Sequence, residues 1–443
     1  MLLKIKNVTA AAVVGALCTL GAWAQEWKDR AEYDLVVESI SKEQNPKTKL
    51  GLLNQWKEKY PETQFKDLRH NLYVTTYQQL GDGKGMKAAA EDWIKDNPKA
   101  IPAYYWLNLL TISLNDTSAP ALETGERAGK GLLGIIEESF APGKKPENVS
   151  EADFKAQKET MTAIAHKTLG WVAMQRNQNE EAEKHFVESL RHAPNDAAVS
   201  LWAGTVIAKQ RKLEKQSDAL YHFIRAGVRE GDGALPAEQK KTVSAYYEKS
   251  YVNFHGDRGG LAEIVEMAKK SPLPPEGFKI ESKDEILIKQ EEELKRTQPV
   301  LALWVGIKRE LSGPNGPAYF ENFKGSLVPG GVEVGSTKVE KFKGTVVSST
   351  PERRPKEVVL GLSSPDMSEA TLRFENPMPG PIAPGTEIEF SGVPVEYTAD
   401  PFMLVFEVDN ADVIGWPKPE PPARKAAPKK AAPKKKAAAK EAE

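Results

Sequence analysis

Between Trp27 and about Lys270 apolar residues recur at intervals of three and four, and several of these runs end at a proline step. Tyr33, Val36, Val37 and Ile40 fall on one helix face, and Leu53 and Trp56 on the next. Tyr73, Val74 and Tyr77 form a third face, and Met86, Ala90 and Trp93 a fourth. Pro61, Pro98 and Pro194 each follow a run of this kind. Proline cannot continue a helix but is well placed to open one, so each marks a junction between helices. Pro61 and Pro98 lie 37 positions apart, close to the interval of a helix-pair array. Ala119 to Phe140 predicts a further helix, followed by an irregular Ala-Pro-Gly-Lys-Lys-Pro loop. Gly81-Asp82-Gly83-Lys84-Gly85 sits between two helical runs with no strand before it, so it reads as a turn rather than a phosphate loop.

The clearest unit runs from Ala163 to Pro194. Leu169 and Gly170 sit together on its first helix, Ala182, Phe186 and Ser189 are spaced along the second, and Pro194 closes it. The next unit begins at Ala197, with Gly204 beside Ala203 on its first helix and Ala219, Phe223 and Ala226 on its second. These residues resemble the tetratricopeptide-repeat (TPR) pattern, in which a small residue lets two helices approach and a later aromatic fills the gap. His166 and Ala173 stand where that family often has Trp and Tyr. The resemblance implies an α-helical solenoid whose concave groove binds another polypeptide. It also implies a groove lining of Asp34, Asn71, Gln78, Tyr105, Ile112, Lys167, Trp171 and Lys209. Aromatics anchor many interfaces and lysines suit an acidic peptide. Tyr105 and Trp171 read equally well as core residues.

After the array the pattern changes twice. Within a connector over 276–312, Glu281 to Leu311 reads as two helices, a charged one over Glu285 to Thr297 and one opening at Pro299 with the apolar Val300-Leu-Ala-Leu-Trp304, expected to cap the last face of the solenoid. From Gly313 glycine and proline become dense and short alternating runs appear: Lys343 to Val347, Glu357 to Leu362, Ala370 to Phe374, Glu387 to Phe390 and Phe402 to Val408. They predict a small antiparallel β-barrel or sandwich over 313–416. Its Lys343-Gly344-Thr345-Val346-Val347 opening and its Phe390-Ser391-Gly392 step somewhat resemble an OB-fold barrel. A structural or protein-docking role suits it better than oligonucleotide binding, because Arg353, Arg354, Lys356 and Arg373 lack interleaved aromatics. Residues 417–443 alternate Pro, Ala and Lys, a composition expected to be disordered. The fold class is therefore multidomain α + β, with the solenoid over 25–275.

Charge and the N-terminus add a location. The formal net charge of −1 conceals +2 before residue 25 and +6 from Lys418 onward, leaving about −9 on the body. Such a body is no nucleic-acid-binding field. Lys4 and Lys6 precede an apolar run from Val8 to Leu20, and Ala22-Trp23-Ala24 offers small residues at the cleavage positions of a signal peptide spanning 1–24. The only cysteine, Cys18, lies in that run, so the cleaved chain would carry no thiol.

No Rossmann fingerprint, H-E-x-x-H or G-x-S-x-G is present. His185 and His192, seven apart, could share a helix face but lack a third metal ligand. No catalytic residue, cofactor or metal is expected. The expected function is a non-enzymatic scaffold, periplasmic or secreted, that captures an unidentified protein partner in its groove. The alternative is an envelope module whose β domain and basic tail engage an anionic glycan or nucleic acid. Mass spectrometry of protein recovered from the envelope of an expressing bacterium should find the chain beginning at Gln25, and an intact Met1 would sink the export reading.

Overall fold

The structure, a computed structural model, describes residues 26–418. The expectations for the signal peptide and for the tail beyond residue 418 fall outside that range. The chain divides into two compact units, one up to Lys283 and the other from Asp284.

The first unit is helical. A short α1 (Arg30–Tyr33) runs on as a π-helical turn, Asp34–Ile40. It is followed by α2 (Pro46–Lys59), α3 (Lys66–Leu80), α4 (Gly83–Asp96), α5 (Ile101–Leu114) and α6 (Ala119–Ser139). Then come α7 (Glu151–Gln175), α8 (Asn179–His192), α9 (Ala197–Lys209), α10 (Gln216–Val228), α11 (Ala237–His255) and α12 (Leu261–Lys270). From α2 to α10 each helix packs on the one before and the one after it, and α5 also packs directly on α7. This is a row of antiparallel pairs, the architecture of a helical repeat.

The boundaries follow the local chemistry. Asn45 caps α2 by accepting from the Lys47 and Thr48 amides, with Pro46 in the first turn. Gly81 ends α3 in the left-handed region at φ 69°, and Asp82 caps α4 through the Gly85 amide at 2.9 Å. The glycine-rich stretch is thus a helix–helix turn. Beyond the proline steps, two buried guanidiniums bond carbonyls at the helix ends and in the turns between them. Arg69 donates to the carbonyls of Tyr60 and Pro61, at 2.8 and 3.2 Å. Arg225 donates to those of Ala268 and Pro194.

The small-residue and aromatic positions meet as the repeat pattern requires. A Cβ on Gly170 would lie 2.6 Å from Phe186 Cδ1, inside van der Waals contact, and one on Gly204 would lie 3.1 Å from both the Ala219 carbonyl oxygen and the Phe223 ring. Leu169, Ala182, Phe186, Ala219, Phe223 and Ala226 are all buried. Pro194 is exposed in the α8–α9 turn, where it works through its backbone carbonyl. The regular pairing stops after α10, because α11 and α12 both pack on that helix. Tyr247, Tyr251, Leu261 and Ile264 close over Tyr221 and Ile224 there, and Ile280 joins them.

The second unit holds α13 (Lys283–Thr297), with no buried side chain, then α14 (Pro299–Ser312) and α15 (Gly316–Phe323). A hairpin of β1 (Val332–Val334) and β2 (Thr337–Val339) precedes a seven-stranded sheet. The sheet comprises β3 (Phe342–Thr350), β4 (Glu357–Gly361), β5 (Ala370–Phe374), β6 (Glu387–Phe390), β7 (Val393–Ala399), β8 (Phe402–Val408) and β9 (Val413–Ile414). Its order is β7-β8-β5-β4-β3-β6-β9.

Two expectations are corrected here. The sheet is mixed, because β5 and β8 run parallel, and among the described residues no ladder joins its edge strands β7 and β9 into a barrel. Residues 276–312 do not act as one capping segment. Phe278 and Ile280 pack with the first unit, whereas α14 gives Trp304, Ile307 and Leu311 to the core beneath the sheet, beside Phe342, Phe390 and Phe406.

If the Gly170–Phe186 contact sets the α7–α8 separation, Gly170→Leu should cost about 1–3 kcal/mol by overpacking. Adding Phe186→Ala should then cost less than the two single changes summed, because each relieves the other. Urea unfolding midpoints of the four proteins test this, and strict additivity would remove the contact from its structural role.

Candidate functional site

The direct contact of α5 with α7 creates a cavity of about 470 Å³ between two first helices of successive pairs. Four residues of α5 line it, Asn108, Leu109, Ile112 and Ser113, and four of α7, Thr160, Ala163, Ile164 and Lys167. Ser189 on α8, with Ala193 and Asp196 in the turn after it, completes the wall. Its apolar part is formed by Leu109, Ile112, Ala163 and Ile164.

The polar groups of this wall are fixed by the helix packing. Asn108 is fully buried; its Nδ2 donates to the Tyr104 carbonyl at 2.8 Å, and its own carbonyl accepts from Thr168 Oγ1 at 3.2 Å. Its Oδ1 has no partner. A buried acceptor of that kind costs about 1–3 kcal/mol until a donor reaches it. Ser189 Oγ donates to the Ala163 carbonyl at 3.0 Å and ties α8 to α7. Lys167 Nζ reaches Asp196 Oδ2 at 2.6 Å, and the same ammonium lies 5.4 Å from the Trp202 ring centroid. Asp196 also caps α9 through the Val199 amide at 3.1 Å, so one carboxylate orders both a helix start and the cavity lysine. The site is a small apolar recess with a neutralised ion pair and one unmet acceptor. That equipment suits binding.

Of the eight residues expected in the groove, only Ile112 and Lys167 come together here. Trp171 is 3% exposed and packs on Leu122 and Val172, and Tyr105 is 6% exposed and edge-on to Trp106. Both belong to the core, which removes them as ligand anchors. Asp34 sits in the π-helical turn, ion-paired with Arg30 at 2.8 Å. Asn71 is half-buried and Gln78 exposed on α3, and Lys209 is exposed at the end of α9. Lys167 offers no spare charge to an acidic peptide, because Asp196 already neutralises it. Sequence reasoning missed Asn108, whose one signal is a lone amide in the otherwise apolar Ile101–Leu110 run.

The histidines also behave differently from the sequence expectation. His166, not singled out as a partner for His185 and His192, lies beside both. Its Nδ1 is 2.9 Å from His185 Nδ1, and its ring lies parallel to His192 at 6.3 Å. One nitrogen of the close pair must donate and the other accept, so the pair holds together with both rings neutral. His185 Nε2 also faces Glu181 at 3.3 Å, and His192 Nδ1 bonds Glu159 at 2.5 Å. Among the described residues no three His, Cys, Asp or Glu side chains are arranged to hold a metal ion. Burial, with His185 adding to it, pulls His166 from 6.5 down to about 4. Burial, with Arg225 adding to it, does the same to the fully buried His222.

A histidine with a lowered folded pKa contributes stability that is intact above its unfolded value of 6.5 and lost as pH falls below it. Over the interval from 6.5 to about 4 the loss from His222 amounts to at most roughly 3 kcal/mol. The urea midpoint of the helical unit should therefore drop between pH 6.5 and 4, and His222→Asn should flatten that slope. An unchanged slope would show that His222 is not the titrating group.

No protein-family model and no curated protein sequence matches the chain. Among solved structures it is similar to TTC0263, a thermophilic TPR protein in Thermus thermophilus. The match has 13% identity and a TM-score of 0.24, and it covers 50% of this chain and 96% of that chain.

Proposed function

We propose that this chain is a non-enzymatic scaffold of the cell envelope that holds a polypeptide along the first helices of its repeat unit. The observation that carries the reading is the α5–α7 cavity. Its apolar walls, from Leu109, Ile112 and Ile164, are half-buried and open rather than filled by a neighbouring side chain. A side chain of the partner would enter this recess and exclude water from it, and burying one Leu- or Phe-sized group there is worth about 1.5–3 kcal/mol. A partner N–H or O–H reaching Asn108 Oδ1 would add the hydrogen bond that the folded chain leaves unmade. Export rests on the basic start, apolar run and Ala22-Trp23-Ala24 step of the N-terminus.

The test is co-purification from cross-linked envelope extract, comparing the wild type with Ile112→Arg. That change puts a charge into the recess from a half-buried position on α5, and circular dichroism should report an unchanged helix content. Loss of one or a few specific proteins, with an affinity drop of about tenfold or more, is expected. Equal recovery of the same proteins by both forms would show that the recess is not the binding site.

A further inference from the structure

The second unit contains a cavity of about 340 Å³ where the first turn of α14 meets β3 and the loop after β4. Gln298, Pro299, Val300 and Leu301 form one side of it, and Trp304 lies among its lining. Helix α14 begins at Pro299 with no side-chain cap, and the first amide of the turn to bond a carbonyl is that of Ala302, to Gln298 at 2.9 Å. The amides of Val300 and Leu301 therefore have no intrahelical acceptor and carry the positive end of the helix dipole.

A second observation is independent of the helix end. Trp304 is 1% exposed, held edge-on by Phe342 and Phe402, and its indole Nε1–H has no acceptor. Side chains on a helix lean toward its N-terminus, which brings this indole under the same open turn. A tryptophan buried this completely normally donates to something. Lys343 and Glu387, the charged residues of the lining, bond each other at 2.8 Å and cancel. The recess thus offers these N–H donors between apolar walls from Pro299, Leu362 and Pro365.

The facing loop is held in place beforehand. Glu369, buried, accepts from the Leu362 amide at 2.9 Å and the Ser363 amide at 2.6 Å, and Lys308 neutralises it at 2.6 Å. Ser363 Oγ donates to it as well, so that hydroxyl is not left to serve a ligand.

We infer that this cavity binds a small monocarboxylate with an apolar body, its oxygens taking the Trp304 indole N–H and the Val300 and Leu301 amides. One negative charge suits the recess better than several, because Glu387 stands at the lining and the lysine beside it is already paired.

Benzoate serves as the probe on the full chain labelled with ¹⁵N in its tryptophan indoles, the Trp304 resonance being identified by its loss in Trp304→Phe. Benzoate should shift that resonance saturably, and benzyl alcohol should bind at least about tenfold more weakly. By calorimetry Trp304→Phe and, separately, the cavity-filling Leu362→Trp should each weaken benzoate about tenfold or more. An unmoved Trp304 resonance, an equal response to benzyl alcohol, a stronger response to inorganic phosphate, or wild-type affinity in Leu362→Trp would each overturn the assignment.

Discussion

The approach of an aromatic ring to a glycine backbone governs the helical unit. Phe186 lies so close over Gly170, and Phe223 so close over Gly204, that a Cβ at either position would meet the ring. These contacts draw α8 down onto α7 and α10 down onto α9. Glycines of α6 do the same between α5 and α7: a Cβ on Gly131 would meet Tyr104 of α5, and one on Gly129 would meet Leu169 of α7. There α5 and α7 touch, and the recess around Ile112 lies along that line of contact. Protein interiors are close-packed, so a change of one methylene at the glycine is felt along the row.

Beyond close packing, the two buried arginines bond carbonyls at helix ends and turns, at places a repeat pattern does not specify. Arg225 is the more consequential. It binds the turn after α8 and the end of α12 from the last turn of α10, so elements more than seventy positions apart in sequence share one guanidinium. Burial lowers its pKa, yet its delocalised charge stays protonated and spreads over several donors, which makes it the residue type suited to such a position.

The packing positions were legible in the sequence because they obey spacing: Gly170, Ala182 and Phe186 are set by helix periodicity and by which residue is small. The groove positions were less so, because they assume that one face of each first helix is open. In α7 that assumption fails around Trp171, where every residue from Thr168 to Ala173 is buried, leaving no outward face to which Trp171 could belong. The recess depends on the α5–α7 contact, a pairing between non-consecutive helices that periodicity does not report. In the sheet, the five strands with clean alternation were visible. Strand β7 was hidden by Pro394, which suits an edge strand and there coincides with a bulge, and β9 is two residues long. The parallel pairing of β5 with β8 comes from topology rather than from either strand's pattern.

Helix α10 receives both α11 and α12 on its surface, and Ile280 fills what remains. In an array that grows by stacking identical pairs, each new pair needs a bare apolar face on the last one. Here that face is already occupied by two helices set out of register with the repeat. The array is terminated by geometry. Lengthening the array at this end would therefore mean splicing a pair in upstream of α10 rather than adding one beyond it.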